Sequence, residues 1–374
     1  MAKIRIHREG RQKRPFTHLH LHTEYSILDG CGKLGDFVNK VKKRRMNAVC
    51  MTEHGTMRGV YAQHLACGEA EVQPIYGIEF YMAGTDMTQK GLTDEQKEMA
   101  TSGIVLKRDQ KDAIKRMERK LGIRDRFHVC AYAMNQTGMR NLFILSSLGW
   151  LEGYYYRPRI DLPSLIKYNE GIIVTTGCAS GIIPSYIIKG DYKTAVETAE
   201  ILYEAFGDRL YAEIQPIDYD EQVLVNKGVL AIAKAMGLPL LATNDAHYID
   251  ESDQRNHEII LCLSTRDVMS NPNRWKFDAN GLWVKNRREM EESFARWHPY
   301  IRKKQVRESL DNTEVVRERC QEARIEVDRF KCLLPSVEIP EEDWGEFSKW
   351  RNRKLGVDTT SDVLVAAGGE LEDA

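Results

Sequence analysis

The feature that most limits what this chain can become is a rhythm. Short, almost uninterrupted apolar runs recur, each followed by a stretch with helical spacing. The runs are "NAVCMT" (47–52), "PIYGIEFYM" (74–82), "FHVCAYAM" (127–134), "GIIVTT" (171–176), "RLYAEIQ" (209–215) and "PLLATND" (239–245). An alternating segment at 16–22 precedes them and makes seven. Helical patterns occupy 34–45, 58–70, 137–149, 193–206 and 220–236, with Gly207 and Gly237 where two of them stop. Strand alternating with helix predicts parallel strands joined by right-handed crossovers. Strands covered on both faces are apolar throughout, as most of these are. Seven such units between residues 16 and 252 fit a closed α/β barrel better than an open sheet.

Two regions break the rhythm. Residues 84–126 are polar and form an insertion between the third and fourth strands. Residues 253–325 read as helices with one apolar break at "GLWVK" (281–285), which predicts a helical appendage packed beside the barrel. The expected organisation is a basic arm (1–14), a barrel (15–252) with its charged insertion (84–126), a helical appendage (253–338) and an acidic tail (339–374). The arm carries six Lys/Arg against one Glu, and "KVKKRR" at 40–45 is a second basic cluster. Such clusters are either solvated faces and frayed ends or contacts for phosphate.

Composition removes some partners. The formal net charge of −1 gives no global positive field to announce nucleic acid. No run approaches the length of a membrane span, so no membrane partner is expected. The eight cysteines are scattered without a C-x-x-C pair, which suggests a reducing cytoplasm.

The chemistry begins at "HLHLHTEYSILDG" (18–30), which holds three of the ten histidines. Residues two apart on a strand point the same way, so His20 and His22 project together, about 7 Å apart. A single H-x-H by itself reads more readily as a half-buried strand with its histidines facing solvent, and the rest of the chain decides. Asp29 and His54 follow the first two strands, Glu79 and His128 lie in the third and fourth, and Cys178 follows the fifth. Asp245 and His247 follow the seventh. All fall at or near the C-terminal strand ends, where barrels assemble active sites. Mixed imidazole, carboxylate and thiolate donors suit zinc or manganese, and nine donors imply two or three ions. The strip "GYYYRPR" (153–159) offers Tyr155, Arg157 and Arg159 as a mix of aromatic faces and guanidinium groups suited to single strands, or else an ordinary surface loop.

The segments "HLHLHTEYSILDG", "MTEHGTMRG", "YGIEFYM", "GCASG" and "ATNDAHY" resemble, in order, the motifs of the PHP (polymerase and histidinol phosphatase) superfamily. They are most similar to the PHP domain at the front of the bacterial replicative DNA polymerase III alpha subunit. "MNQTGMRNL", "GYYYRPRID" and the stretch from "HEIILCLSTRD" to "NTEVVRERC" resemble connecting segments of that branch. The resemblance covers about residues 15–338. It implies a distorted (β/α)7 barrel with a trinuclear centre held by His20, His22, Asp29, His54, Glu79, His128, Cys178, Asp245 and His247. His18 has no ligand role in that pattern. Two positions depart from the superfamily: Glu53 stands where aspartate is usual, and Cys178 where many phosphatase relatives place histidine. No palm-like pair of aspartates follows residue 338, so the chain is not expected to polymerise DNA alone.

The expected activity is metal-dependent phosphoester hydrolysis, foremost a 3′–5′ exonuclease acting on single-stranded DNA or 3′ ends in replication or proofreading. Asp245 and His247 would then relay a proton to the leaving oxygen besides holding metal. The alternatives are a phosphatase of the histidinol phosphate type and a scaffold that binds a separately encoded polymerase subunit.

Overall fold

The computed structural model describes residues 15–277, 279 and 281–325, all within one compact unit. The basic arm, the end of the expected appendage (326–338) and the acidic tail lie outside the described residues. The elements run α1 (Leu34–Lys43), β1 (Ala48–Met51), α2 (Val60–Ala70), β2 (Gln73–Met82), α3 (Asp94–Thr101), α4 (Lys107–Lys120) and β3 (Phe127–Ala133). There follow α5 (Gln136–Leu151), β4 (Arg159–Ile160), α6 (Leu162–Lys167), β5 (Ile172–Thr175), α7 (Ile182–Ile188), α8 (Tyr192–Phe206), β6 (Leu210–Ile214), α9 (Asp220–Met236) and β7 (Leu240–Ala242). Helices α10 (Gln254–Thr265), α11 (Arg287–Trp297) and α12 (Lys303–Arg319) complete the described part.

Local chemistry explains the frame. Helix α1 buries Leu34, Phe37, Val38 and Val41, the i, i+3, i+4, i+7 stripe of a helix laid on a sheet. Helix α9 stops at Gly237, whose φ of 72° is the left-handed conformation that glycine adopts without strain. The strands are buried on both faces, as their unbroken apolar sequences predict.

Hydrogen-bonded neighbours follow the order β1-β2-β3-β5-β6-β7, with β4 paired to β2. The segment 16–22 closes the ring. It is extended but makes isolated bridges rather than the continuous strand expected, with a bend at His20. His18 bridges Val49 on β1, and Leu21 bridges Ala246 just beyond β7. On one seam Cys50 N and Thr52 N donate to His18 O and Leu21 O, both at 2.9 Å. On the other, His22 N donates to Ala246 O at 2.8 Å and Ala246 N to His20 O at 3.2 Å. The fold is therefore a distorted (β/α)7 barrel with helices around it.

Strand β3 departs from the all-parallel expectation. It runs antiparallel to both β2 and β5. A parallel return needs a crossover helix with an apolar face to lay on the sheet. The connection from β2 to β3 has none: α3 buries no residue, and α4 buries only Ala113 and Glu118. The chain simply doubles back.

Helix α12 does not lie beside the barrel, as an appendage would. It covers the end from which the parallel strands start. Asn312 donates to Leu240 O at 2.7 Å, Gln73 donates to Arg317 O at 3.1 Å, and Thr17 N bonds Thr313 Oγ1 at 3.2 Å. Its Val316, with Cys320 just past its end, completes an interior cluster with Leu19, Cys50, Cys130, Tyr132 and Leu241. That largely apolar cluster fills the barrel on the side away from the mouth described below.

Candidate metal centre

Glu79, almost fully buried near the end of β2, sits at the middle of that mouth. One carboxylate oxygen, Oε1, lies 3.1 Å from His20 Nε2 and 2.9 Å from His128 Nδ1. The other, Oε2, lies 2.6 Å from His54 Nδ1 and 3.5 Å from His22 Nε2. Asp245 Oδ1 is 3.2 Å from both His20 Nε2 and His22 Nε2. Asp29 meets His54 Nε2 at 2.7 Å and His247 Nε2 at 3.8 Å. Cys178 Sγ stands 3.6 Å from His128 Nδ1 and 3.7 Å from Glu79 Oε1. All nine residues expected as ligands are thus brought together. His128 gets there only because of the reversal just described. It is the second residue of β3, and antiparallel pairing puts that strand's start beside the other strands' ends, opposite Tyr81.

The imidazoles are aimed from behind. His20 Nδ1 is 2.9 Å from Glu213 Oε1, so Nδ1 carries the proton and Nε2 turns its lone pair to the centre. Glu213 is held in turn by Thr175 and Thr243 hydroxyls at 2.5 Å and by the Gln215 amide at 2.9 Å. Ser26 does similar work for the loop. Its hydroxyl donates to Glu53 at 2.5 Å, accepts from His54 N at 3.1 Å and meets His22 Nδ1 at 3.0 Å. Glu53, the glutamate in place of aspartate, also takes Thr23 N and Thr23 Oγ1, which pins the start of the loop leading to Asp29. His247 Nδ1 donates to Asp245 O at 2.8 Å, freeing Nε2.

The inward atoms are left over. His20 Nε2, His22 Nε2, His54 Nδ1, Glu79 Oε2 and Asp245 Oδ1 are buried without a well-aligned hydrogen bond. Buried polar atoms are almost always satisfied, and nitrogen and carboxylate donors converging in this way suit a cation. Three sets, His20–His22–Glu79, His54–Glu79–His128 and His22–His54–His247, each bring three donor atoms within 4.8 Å of one another. The cluster is able to hold metal ions.

Charge agrees. Burial alone would push the Glu79 carboxyl up, but His128, His20 and His54 together outweigh it and hold it well below the carboxylate range. Burial and the neighbouring His54 ring hold His22 at about 3, so it is neutral at pH 7 and offers a lone pair. Burial opposes a proton on His20 as well, yet Asp245, Glu79 and Glu213 outweigh it and push that imidazole up, so a bound cation at Nε2 would have to replace a proton there. Among the described residues no lysine or arginine pairs with Asp29, Glu79 or Asp245. The acids are balanced by imidazoles alone, so the mouth favours added positive charge.

The strip 153–159 behaves differently from the expectation. Arg159 is fully buried and cannot face a ligand. Its guanidinium donates to Ile123 O (2.7 Å), Gln89 O (3.1 Å), Met87 O (3.2 Å) and Gly153 O (3.3 Å), fastening the insertion to β4. Tyr155 is spent on Glu118, 3.1 Å away. Arg157 alone of the three is exposed, with its guanidinium 5.9 Å from the Tyr81 ring centroid. Strand alternation would put all three on one side, but Tyr156 takes a φ of 63° and breaks it.

Sequence reasoning passed over Glu213 and His257. Glu213 interrupts the apolar run "RLYAEIQ" just as Glu79 interrupts its own, and a buried-strand carboxylate was the available signal. His257 comes from α10, with Nε2 4.0 Å from Asp29 Oδ1 and its ring stacked on Phe277 at 5.5 Å. A single histidine in an amphipathic helix carried no signal. His18 turns away, with Nε2 2.7 Å from Lys285 O.

A model of the PHP domain matches residues 18–216. The chain belongs to the PHP family. This PHP protein is 33% identical over 327 residues to DNA polymerase III subunit alpha of Borreliella burgdorferi, covering 87% of the chain and 25% of that protein. It is 34% identical over 326 residues to the same subunit of Saccharopolyspora erythraea, covering 86% and 26%. The chain therefore spans about a quarter of the length of the curated relatives it matches. Among solved structures, an amidohydrolase from Chromobacterium violaceum with bound sulfate and no metal overlaps at a TM-score of 0.32 and 14% identity, covering 62% of this chain and 87% of that one.

Proposed function

We propose that this PHP protein is a metal-dependent phosphoesterase that removes nucleotides from the 3′ end of DNA, in replication or proofreading. The observation that carries the reading is the convergence of orphaned, buried lone pairs around Glu79. His20, His22, Asp29, His54, Glu79, His128, Cys178, Asp245 and His247 would hold two or three zinc or manganese ions. When bound, such ions acidify water and neutralise phosphate charge.

The chain's own residues do the rest. Glu213, Ser26 and the Asp245 carbonyl fix three imidazoles so that each donor is aimed before substrate arrives. In this reading Asp245 or His247, just beyond β7, would also pass a proton to the leaving oxygen. DNA as substrate is supported by the similarity to DNA polymerase III alpha subunits. Cytoplasmic placement is supported by the seven cysteines among the described residues, none of which forms a disulfide. No described helix is long and apolar enough to cross a membrane.

The test runs three substrates beside one another on metal-reconstituted protein: 3′-labelled single-stranded DNA, nitrophenyl phosphate and histidinol phosphate. Chelator-sensitive release of the DNA label is the expected result. Hydrolysis of histidinol phosphate alone would make the protein a small-molecule phosphatase, and no hydrolysis at all would make it a scaffold.

A further inference from the structure

Beside the barrel mouth runs a strip of aromatic faces and unpaired guanidinium groups that the hydrolysis does not use. Trp150 and Tyr154, at and just beyond the end of α5, are 44% and 45% exposed. They stack on each other with centroids 5.6 Å apart and planes 23° from parallel. Stacked and partly open to solvent, each ring offers a flat outer face.

The strip is anchored to the metal centre. The Trp150 indole donates to Gly55 O at 2.9 Å, and Gly55 directly follows His54. Tyr81 stacks on the His54 ring at 5.6 Å, and Arg157 stands over Tyr81. Arg58 stands over Trp150, 5.9 Å from the ring centroid. Arg126, also exposed, directly precedes Phe127 at the start of β3, where that strand pairs beside Tyr81 and Met82. Among the described residues, none of Arg58, Arg126 and Arg157 pairs with a carboxylate. A chain of net charge −1 with 55 acidic side chains has thus left three guanidinium groups uncompensated in one place. Lysine-poor, arginine-rich and aromatic, the strip suits planar bases joined by phosphates better than it suits a small phosphate ester.

We propose that this strip is a binding track for single-stranded nucleic acid, with Trp150 and Tyr154 stacking bases and Arg58, Arg126 and Arg157 contacting phosphates next to the metal centre. The proposal rests on the exonuclease reading and narrows it to a strand with unpaired bases, because bases stacked inside a duplex have no free face to offer.

The test uses the full chain in EDTA and a fluorescein-labelled oligothymidylate, with binding followed by anisotropy. Base stacking on an aromatic side chain is worth roughly 1–3 kcal/mol, so Tyr154→Ala should weaken binding at least about fivefold. Trp150→Ala with Tyr154→Ala should weaken it more. Arg157→Gln should reduce the slope of log affinity against log salt by about 0.7, the value for one single-strand phosphate contact. Circular-dichroism melts check folding. Should loss of the Trp150–Gly55 bond unfold the double variant, Tyr154→Ala and Arg157→Gln still decide.

Parent-like affinity and salt slope in those two variants would overturn the track, as would tighter binding of duplex than of single strand by the parent. A change in sedimentation of the chain with oligonucleotide binding intact would make the strip a protein interface instead. Failure of the exonuclease reading shows separately, as metal-loaded parent protein that releases no label from DNA.

Discussion

Replacing Glu213 tests whether the metal centre depends on the residues behind it. In the structure this carboxylate receives four donors: His20 Nδ1–H, the Thr175 and Thr243 hydroxyls and the Gln215 amide. Alanine would strand the imidazole and the amide in a buried place, while the hydroxyls can rotate to other acceptors. At roughly 1–3 kcal/mol per stranded donor, Glu213→Ala should cost about 2–6 kcal/mol, a large share of a domain's stability. Glutamine is the informative change. Oε1 takes three of the donors and Oε2 only Thr175, so the amide nitrogen can face Thr175 Oγ1, which accepts instead. The fold then loses only the difference between a charged and a neutral acceptor, on the order of 1 kcal/mol. His20, however, loses the negative charge that enriches its Nε2 lone pair. Changes of this kind behind a ligand typically cost about 10–100-fold in metal affinity. Titration calorimetry of apoprotein with Mn²⁺ should therefore show a weaker site in Glu213→Gln and a nearly unchanged melt. An affinity equal to the parent's would refute the role given to Glu213.

Asp245→Asn should lower DNA hydrolysis by about 10²–10³ with an unchanged melt, since asparagine also tolerates the φ of 48° at that position. Parent-like cleavage would place the activity elsewhere. Arg159→Met removes the donors of four backbone carbonyls and should cost about 2–5 kcal/mol in urea unfolding, whereas a substrate contact would leave stability alone. Lys285 supplies a pH test. Burial, only partly offset by Glu289 and Glu251, pushes its ammonium down to about 7. The unfolded chain keeps that proton to about 10.4, so it binds more protons between those values and stability must rise with pH across them. Lys285→Met should flatten the rise in melting temperature above pH 7, and an equal rise in both proteins would contradict the assignment.

Much of the barrel was legible because its signals are local. Apolar runs, helical spacing and terminal glycines such as Gly237 report what each segment does by itself. The donors were legible for the same reason, as histidines and acids standing where apolar residues would be expected. Strand direction was not, because "FHVCAYAM" reads alike whichever way it runs, and only the bare α3–α4 connection sets it. The strip at 153–159 misled through a backbone event, the left-handed Tyr156, that leaves no mark in the pattern of residue types. Helix α12 looked peripheral because its apolar positions match those of any surface helix. That Val316 and Cys320 fill the barrel interior depends on contacts with residues some three hundred positions away, such as Leu19. Glu213 and His257 depend likewise on distant partners, His20 and Asp29.

Everything proposed for this protein requires that the side chains around Glu79 bind metal. Elemental analysis by mass spectrometry, on protein purified without chelator and again after reconstitution and desalting, measures this directly. Two to three zinc or manganese ions per chain are expected, falling when Glu79 or His22 is replaced by alanine. Less than one ion per chain after reconstitution would contradict it.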